Sequence, residues 1–152
     1  MRKKILGLMV ICGLLFTGIC AETSVEAIPK CDNRSTCVNN KDYYLEVKRV
    51  DRRGDVVIIQ LEYTSKAYNL YTNFTDGKFE GYVMILDAKG QEFVIKGKEI
   101  SNFHLKNHEK KVLSFRFKGV GKKRIIEPFD LIMRTNSGEI TLFDLKEKNR
   151  FK

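Results

Sequence analysis

The clearest structural signal in this chain is the stretch 56–64, which reads V-V-I-I-Q-L-E-Y-T. Successive side chains of an extended strand point to opposite faces, so alternate positions share one side. The positions on the more apolar side are Val57, Ile59, Leu61 and Tyr63. The other side is apolar at first and becomes polar at Gln60 and Glu62. This pattern predicts a strand with one buried face, central in its sheet at the start and wetter at its end.

Two pairs of apolar runs predict β-hairpins, because in each pair a short loop ending in glycine separates the runs. Glycine adopts the positive φ angle of a tight turn without steric cost. The first loop, Asp87-Ala88-Lys89-Gly90, joins residues 81–86 to 92–95, and the second, Asn136-Ser137-Gly138, joins 129–135 to 139–143.

Further strands are predicted on both sides of these segments. Residues 43–50 and 111–117 alternate apolar and polar side chains, and a turn at 52–55 connects the first of them to the stretch 56–64. Residues 65–78 are predicted to form a long connection or a short edge strand. Together these signals predict an all-β fold, an antiparallel immunoglobulin-like β-sandwich of about seven to eight strands. A small β-barrel is the alternative architecture.

The N-terminal residues 1–21 have the pattern of a secretory signal peptide. Met1-Arg2-Lys3-Lys4 is positively charged, and residues 5–16 carry no charge, a length that suits a signal sequence and is too short to cross a bilayer as a helix. Cleavage is expected after Ala21. A lipoprotein signal ending at Cys20 is the competing interpretation, but Ile19 stands where that motif has a small residue. We therefore expect an exported protein, periplasmic or extracellular, with no lipid anchor on Cys20 and no transmembrane span after cleavage.

Cleavage after Ala21 would leave two cysteines, Cys31 and Cys37, in a compartment that oxidises thiols. Their pairing predicts a disulfide-looped N-terminal arm over residues 22–41, followed by a β-sandwich domain over 42–152. The spacing is not the Cys-X-X-Cys of redox enzymes, and two cysteines alone would leave a zinc site without two ligands.

The order of these elements resembles a known fold family. It consists of a strand pair through Tyr63, the segment 81–93 with its Asp-x-x-Gly turn, the alternating run 112–117, a strand at 129–133 and a closing hairpin. This order is similar to that of telokin-like, immunoglobulin-fold domains of exported bacterial proteins, most of unknown function. The resemblance covers about residues 43–145. It implies a fold and a compartment, and it carries over no catalytic residues.

Two groups of side chains are candidate binding surfaces on such a domain. A basic loop, with Arg52 and Arg53 as neighbours in the same patch, could dock an anionic polymer or an acidic protein: Lys118, Lys122, Lys123 and Arg124. Aromatic residues of the connection 65–78 could anchor a partner through loops at one end of the sandwich: Tyr68, Tyr71 and Phe74. The simpler interpretations are a solvated loop for the first group and core or edge packing for the second, and both are favoured.

His104 and His108 are the only histidines, and on a helix their spacing could supply two metal ligands. The surrounding asparagines and strand-like segments favour a loop, so both are expected to be surface residues, with no metal and no cofactor. The chain also lacks the nucleophile, zinc-protease and phosphate-loop motifs. The sequence predicts no catalytic residues.

Removal of Arg2, Lys3 and Lys4 with the signal would lower the formal net charge from +9 to +6. A positive excess favours anionic partners. The predicted function is therefore a non-enzymatic exported module that binds a protein or an anionic cell-surface polymer rather than nucleic acid. The alternative is a small secreted enzyme inhibitor or a periplasmic accessory subunit.

Overall fold

The computed structural model describes residue 31 and residues 36–119 and 123–147. The predicted signal peptide with Cys20, and most of the predicted arm, lie outside the described residues. A short 3-10 turn spans Gly97–Glu99. The described strands are β1 (Cys37–Asn39), β2 (Tyr43–Arg53), β3 (Val56–Ser65), β4 (Asn69–Thr72), β5 (Tyr82–Asp87), β6 (Glu92–Lys96), β7 (Phe103–Lys106), β8 (Lys110–Lys118), β9 (Phe129–Thr135) and β10 (Gly138–Leu145).

These strands form two four-stranded antiparallel sheets and a small two-stranded one. The first sheet has the order β1-β2-β3-β8, the second has the order β10-β9-β5-β6, and β4 pairs with β7. The prediction of an all-β sandwich is confirmed. The described part of the chain holds ten strands rather than seven or eight, because the short strands β1, β4 and β7 carry too few residues to show a period.

One continuous core joins the two large sheets. The four apolar residues of β3 predicted to share a face, Val57, Ile59, Leu61 and Tyr63, are all at most 1% exposed. Inward side chains of β8 (Leu113, Phe115 and Phe117) and of β5 and β9 (Val83, Ile85, Leu131 and Met133) belong to the same cluster. Burial of these side chains is the main source of stability, at about 1.5–3 kcal/mol for each fully buried large one.

Both predicted hairpins are confirmed. β5 pairs with β6 and β9 pairs with β10, both antiparallel. In the first hairpin the buried carboxylate of Asp87 accepts backbone hydrogen bonds from Lys89 and Gln91 inside the turn, at 2.9 and 2.8 Å. It also accepts one from Ile126 at 3.1 Å. Asp87 therefore ties this turn to the chain that leads into β9.

A disulfide joins Cys31 to Cys37, with 5.7 Å between the Cα atoms. Cys37 begins β1, which pairs with β2 and so extends the first sheet. The end of the predicted arm is thus an edge strand rather than an irregular lead. Among the described residues, no helix is long and apolar enough to cross a membrane.

Candidate functional site

The aromatic residues proposed as a binding surface separate into two classes. Tyr68 is 84% exposed and Tyr71 is 58% exposed, whereas Phe74 is completely buried in the core. Phe74 packs edge-on against Phe115 of β8, with 6.4 Å between the ring centroids. The prediction that Phe74 contributes to a binding surface is therefore wrong, because its ring fills space between the strands.

Tyr71 lies on the exposed side of the small β4–β7 sheet, directly opposite His104. The two rings are stacked, with centroids 4.3 Å apart, and a ring nitrogen of His104 lies 3.0 Å from the side-chain oxygen of Asn69. His108 instead occupies the β7–β8 turn with a φ of 63°. His104 is thus on a strand and His108 in a turn, and the described residues contain no group of three metal-ligating side chains.

The basic candidates lie at one end of the sandwich. Lys118 ends β8 and pairs with Val56, which in turn pairs with Arg53 at the β2–β3 turn. Lys123 and Arg124 lie next to Gly119, the residue that follows Lys118. A Cβ atom at Gly119 would be only 2.4 Å from the backbone oxygen of Lys123. Lys118, Lys123 and Arg124 are exposed. Lys122 lies outside the described residues.

Arg52, a suggested neighbour of this basic patch, has a different role. Its guanidinium donates from Nη2 to the backbone oxygen of Ile125 and to the carboxylate of Glu127, both at 3.0 Å. The side chain is only 14% exposed. Arg52 therefore holds the segment before β9 against β2, and its charge is already neutralised by Glu127.

The structure does not bring the basic and aromatic candidates together. The basic group adjoins the start of β3 at Val56, whereas Tyr68 and Tyr71 follow its end at Ser65. Ten residues of extended strand span about 30 Å. No single loop cluster can therefore use both groups, as a site built from end loops would require.

A groove that the sequence did not reveal lies between the two large sheets, on the side where β6 and β8 are edge strands. It has a volume of about 390 Å³ and is lined on one side by β8 and on the other by the end of β6 and the segment 99–103. Its apolar lining comprises Ile95, Ile100, Phe103, Val112, Leu113 and Phe115.

β8 presents an open edge to this groove. It is the last strand of the first sheet and pairs only with β3. Every second residue of an edge strand directs its backbone N–H and C=O groups away from its neighbour. Within the described residues, no third strand pairs with that edge, so the edge lies beside an apolar groove.

The side chains around the groove are mainly basic. Lys111 and Arg116 line it, and Lys118 continues the same edge toward the basic end. All three are exposed and make no ion pair with the described residues. Among the described residues of the lining, Glu99 is the only acidic one. The groove therefore combines apolar contacts, an open backbone edge and a positive rim.

Sequence reasoning missed this groove although one signal was present. Val112 is an apolar side chain on the otherwise polar face of β8, and it is 55% exposed. A valine at an otherwise polar position of a well-patterned strand is the feature of the sequence that could have marked this surface.

A scan of known protein families finds no model that matches this chain, and a search of curated proteins finds no significant match.

Proposed function

We propose that this chain is a non-enzymatic, exported binding module that captures an extended acidic segment of a partner protein by strand addition to β8. The observation that carries the proposal is the open edge of β8 beside a groove of about 390 Å³. The proposal replaces the end loops by the sheet edge as the binding surface, because the end-loop candidates are about 30 Å apart.

Strand addition would use both the open backbone edge of β8 and the apolar groove beside it. The backbone of an extended peptide would pair with the free N–H and C=O groups of β8, and alternate side chains would point toward or away from the groove. The inward set would meet the apolar lining at Ile100, Phe103 and Leu113. Backbone pairing supplies affinity and the groove supplies the preference for apolar side chains.

The positive charge around the groove favours acidic residues in the outward set of side chains of the bound peptide. Arg116 and Lys118 lie on the outward face of β8 and make no ion pair with the described residues. Carboxylates that alternate with apolar residues in the bound segment would pair with them. Arg116 is the stronger anchor, because a guanidinium can bind a carboxylate through two parallel hydrogen bonds.

Export is part of the proposal and rests on two features. The charged start and uncharged run of residues 1–16 have the pattern of a signal peptide. The Cys31–Cys37 disulfide suits an oxidising compartment. Mass spectrometry of protein purified from its own host should find a chain that begins near Glu22 and lacks an acyl group. An intact N-terminus would contradict export by this signal.

Peptide titration tests the binding site directly. The probe is a synthetic ten-residue peptide that alternates valine and glutamate, with a valine and lysine peptide as its charge-reversed control. We expect the acidic peptide to bind at least tenfold more tightly by fluorescence anisotropy. Backbone amides of β8 should shift in NMR spectra and gain protection from hydrogen exchange.

The variant Arg116→Glu should weaken binding of the acidic peptide by about tenfold, because it removes an exposed ion pair of about 0.2–1 kcal/mol and replaces it with a repulsion of similar size. Lys146→Glu is the matched control, because it makes the same charge change at an exposed position outside the groove. Equal loss in both variants, or amide shifts confined to other strands, would rule out β8 as the docking edge.

A further inference from the structure

The outer face of the second sheet is an apolar surface with ordered charges at its margins. Strand register aligns its outward side chains in three rows across the sheet. The central row contains Val94, Met84, Ile132 and Thr141. On one side lies the Tyr82 row, with Lys96, Tyr82, Arg134 and Glu139, and on the other lies the Leu86 row, with Glu92, Leu86 and Asp130.

The charges of this face are not neutralised within the molecule. Within the part of the chain that the structure describes, Lys96, Arg134, Glu92 and Asp130 take part in no ion pair. The outer face of the first sheet is different in part. On β2 its charges pair with one another, as in Arg49 with Asp51 at 2.6 Å and Lys48 with Glu46 at 3.2 Å. On β8 the outward Arg116 and Lys118 make no ion pair with the described residues, but both are cationic, so this face has no matched set of opposite charges at its margins.

The apolar content of this face is also unusual for a solvent-facing sheet. Val94 is 52% exposed, and Phe143 of β10 is 48% exposed. Met84 and Ile132 occupy the centre of the face, where a sheet in contact with water normally carries polar residues. A contiguous apolar surface bordered by charges is typical of an interaction site.

The arrangement is complementary to itself. A two-fold axis that lies in the plane of contact along the Met84 row would place the Tyr82 row of one copy over the Leu86 row of the other. Lys96 would then face Glu92 of the second copy, and Arg134 would face its Asp130. Met84 and Ile132 would each meet their own equivalents. A two-fold interface has this isologous form, in which each contact occurs twice.

A two-fold axis along the strands fits the charges less well. It would keep each row over itself, so that Lys96 faces Glu139 of the other copy, Arg134 faces Tyr82 and Asp130 faces Leu86. The carboxylate of Asp130 would then lose water without gaining a cationic partner, which costs free energy. The axis along the Met84 row pairs both cations of each copy, whereas the axis along the strands pairs only Lys96, so the charge pattern favours the Met84 row.

We propose that the outer face of the second sheet binds the same face of a second copy of this chain, about that axis. The footprint is on the order of 400 Å² per copy, from four strands about 4.8 Å apart and about six residues of each strand. The total, about 800 Å², is below the roughly 1,200 Å² at which stable specific complexes begin, so the dimer is weak and transient and forms only with increasing concentration. It leaves β8, in the other sheet, free for a partner.

Charge reversal at the margins tests this interface by sedimentation equilibrium from about 10 μM to 1 mM. Lys96→Glu would place two carboxylates opposite each other on both sides of the axis, at its β6 end, and Glu92→Lys would do the same with two ammonium groups. We expect each single variant to weaken dimerisation by at least tenfold. Both side chains are exposed and make no ion pair with the described residues, so folding should be kept.

The decisive measurement mixes the two variants. Lys96→Glu and Glu92→Lys chains should form a heterodimer at concentrations where each alone is monomeric, because every facing pair then has opposite charges. The double variant should dimerise like the original protein. A mixture that stays monomeric, or a parent protein that is monomeric at 1 mM, would overturn the proposal.

A central substitution supplies an independent check. Met84→Glu would bring two carboxylates together on the axis and should abolish dimerisation, with an unchanged circular dichroism spectrum. Gln60→Glu is the matched control on the outer face of the first sheet. Equal effects of both variants would show that net charge, rather than this face, controls association, and would also overturn the proposal.

Discussion

At the scale of single residues, similar aromatic side chains differ completely in their burial. Tyr68 and Phe74 lie six positions apart in one connection, yet Tyr68 is 84% exposed and Phe74 is not exposed at all. Hydrophobicity alone does not separate them. The difference is that the backbone N–H of Phe74 is held by the side chain of Asn102 at 2.7 Å, which fixes this part of the connection against the core.

Tyr63 places a polar hydroxyl group inside the apolar core. Its ring packs against Tyr43 and Phe103, with centroids 5.3 and 5.4 Å away, while its buried hydroxyl has no hydrogen-bond partner within the described residues. Burial of a hydroxyl without a partner is destabilising. The hydroxyl is thus the costly atom of a side chain whose ring stabilises the core.

We predict that Tyr63→Phe stabilises the protein by about 1 kcal/mol, because it removes a buried hydroxyl without a partner and keeps the ring. Urea unfolding at pH 7 measures the change. Tyr68→Phe, at an exposed position, is the control and should change the free energy of unfolding by less than about 0.5 kcal/mol. A loss of stability in Tyr63→Phe would show that the hydroxyl is satisfied in solution.

The same variant should respond to alkaline pH. Burial raises the pKa of Tyr63 far above its ordinary value of 10, with a smaller contribution from Tyr43. The unfolded chain therefore releases this proton first, so the free energy of unfolding is unaffected by this group below pH 10 and falls as pH rises above 10. At pH 11 the advantage of Tyr63→Phe should grow by about 1.4 kcal/mol. A constant advantage between pH 7 and pH 11 would contradict this burial.

At the scale of elements, local signals predicted the hairpins well and the connections poorly. The turns at 87–90 and 136–138 are determined locally, because each contains a glycine and side chains that hydrogen-bond to nearby backbone groups. The segment 97–106 has no comparable signal. Its 3-10 turn and β7 depend on contacts with residues far along the chain, such as Gly81 and β4.

Gly81 and Gly97 mark the tightest of these contacts. Gly97 donates its backbone N–H to Gly81 at 2.8 Å, and Gly81 donates to Phe74 at 2.7 Å. A Cβ atom at Gly97 would lie 2.1 Å from the backbone oxygen of Phe74. Three backbone segments therefore cross where no side chain fits.

We predict that Gly97→Ala destabilises the protein by about 2–4 kcal/mol, because the atom in the way belongs to the backbone and cannot rotate aside. Gly90→Ala is the control. It has a φ of +71° but nothing within 4 Å of its Cβ position, so it should cost only about 1 kcal/mol. Equal losses in thermal unfolding would mean that the crossing can open.

At the scale of the whole molecule, the two sheets of the sandwich expose surfaces of different character. The first sheet has ion pairs on the outer face of β2 and an open edge at β8, and the second has an apolar outer face with unpaired charges of both signs at its margins. The two proposed contacts therefore use different sheets and can be tested separately. The disulfide lies at β1, the opposite edge of the first sheet from β8.

We predict that reduction of the Cys31–Cys37 disulfide lowers the free energy of unfolding by about 2–2.5 kcal/mol, the chain-entropy value for so short a loop. The domain should stay folded, because the cysteines hold only the edge strand β1. Urea unfolding of the chain from Glu22 onward, with and without reductant, measures the effect. A variant with both cysteines replaced should be insensitive to reductant. Complete unfolding on reduction would show that the core depends on the arm.

The sequence by itself determined the strand periods, the two hairpins, the buried faces of β3 and β8 and the disulfide partners. These features follow from interactions over a few residues, so a local pattern records them. Only the tertiary structure decided which strands became edges, which faces met water and which candidate residues lay together. Strand order depends on pairing between distant segments, and an alternating strand has the same pattern at the centre of a sheet as at its edge. For that reason the groove at β8 and the self-complementary face emerged only when the sheets were assembled.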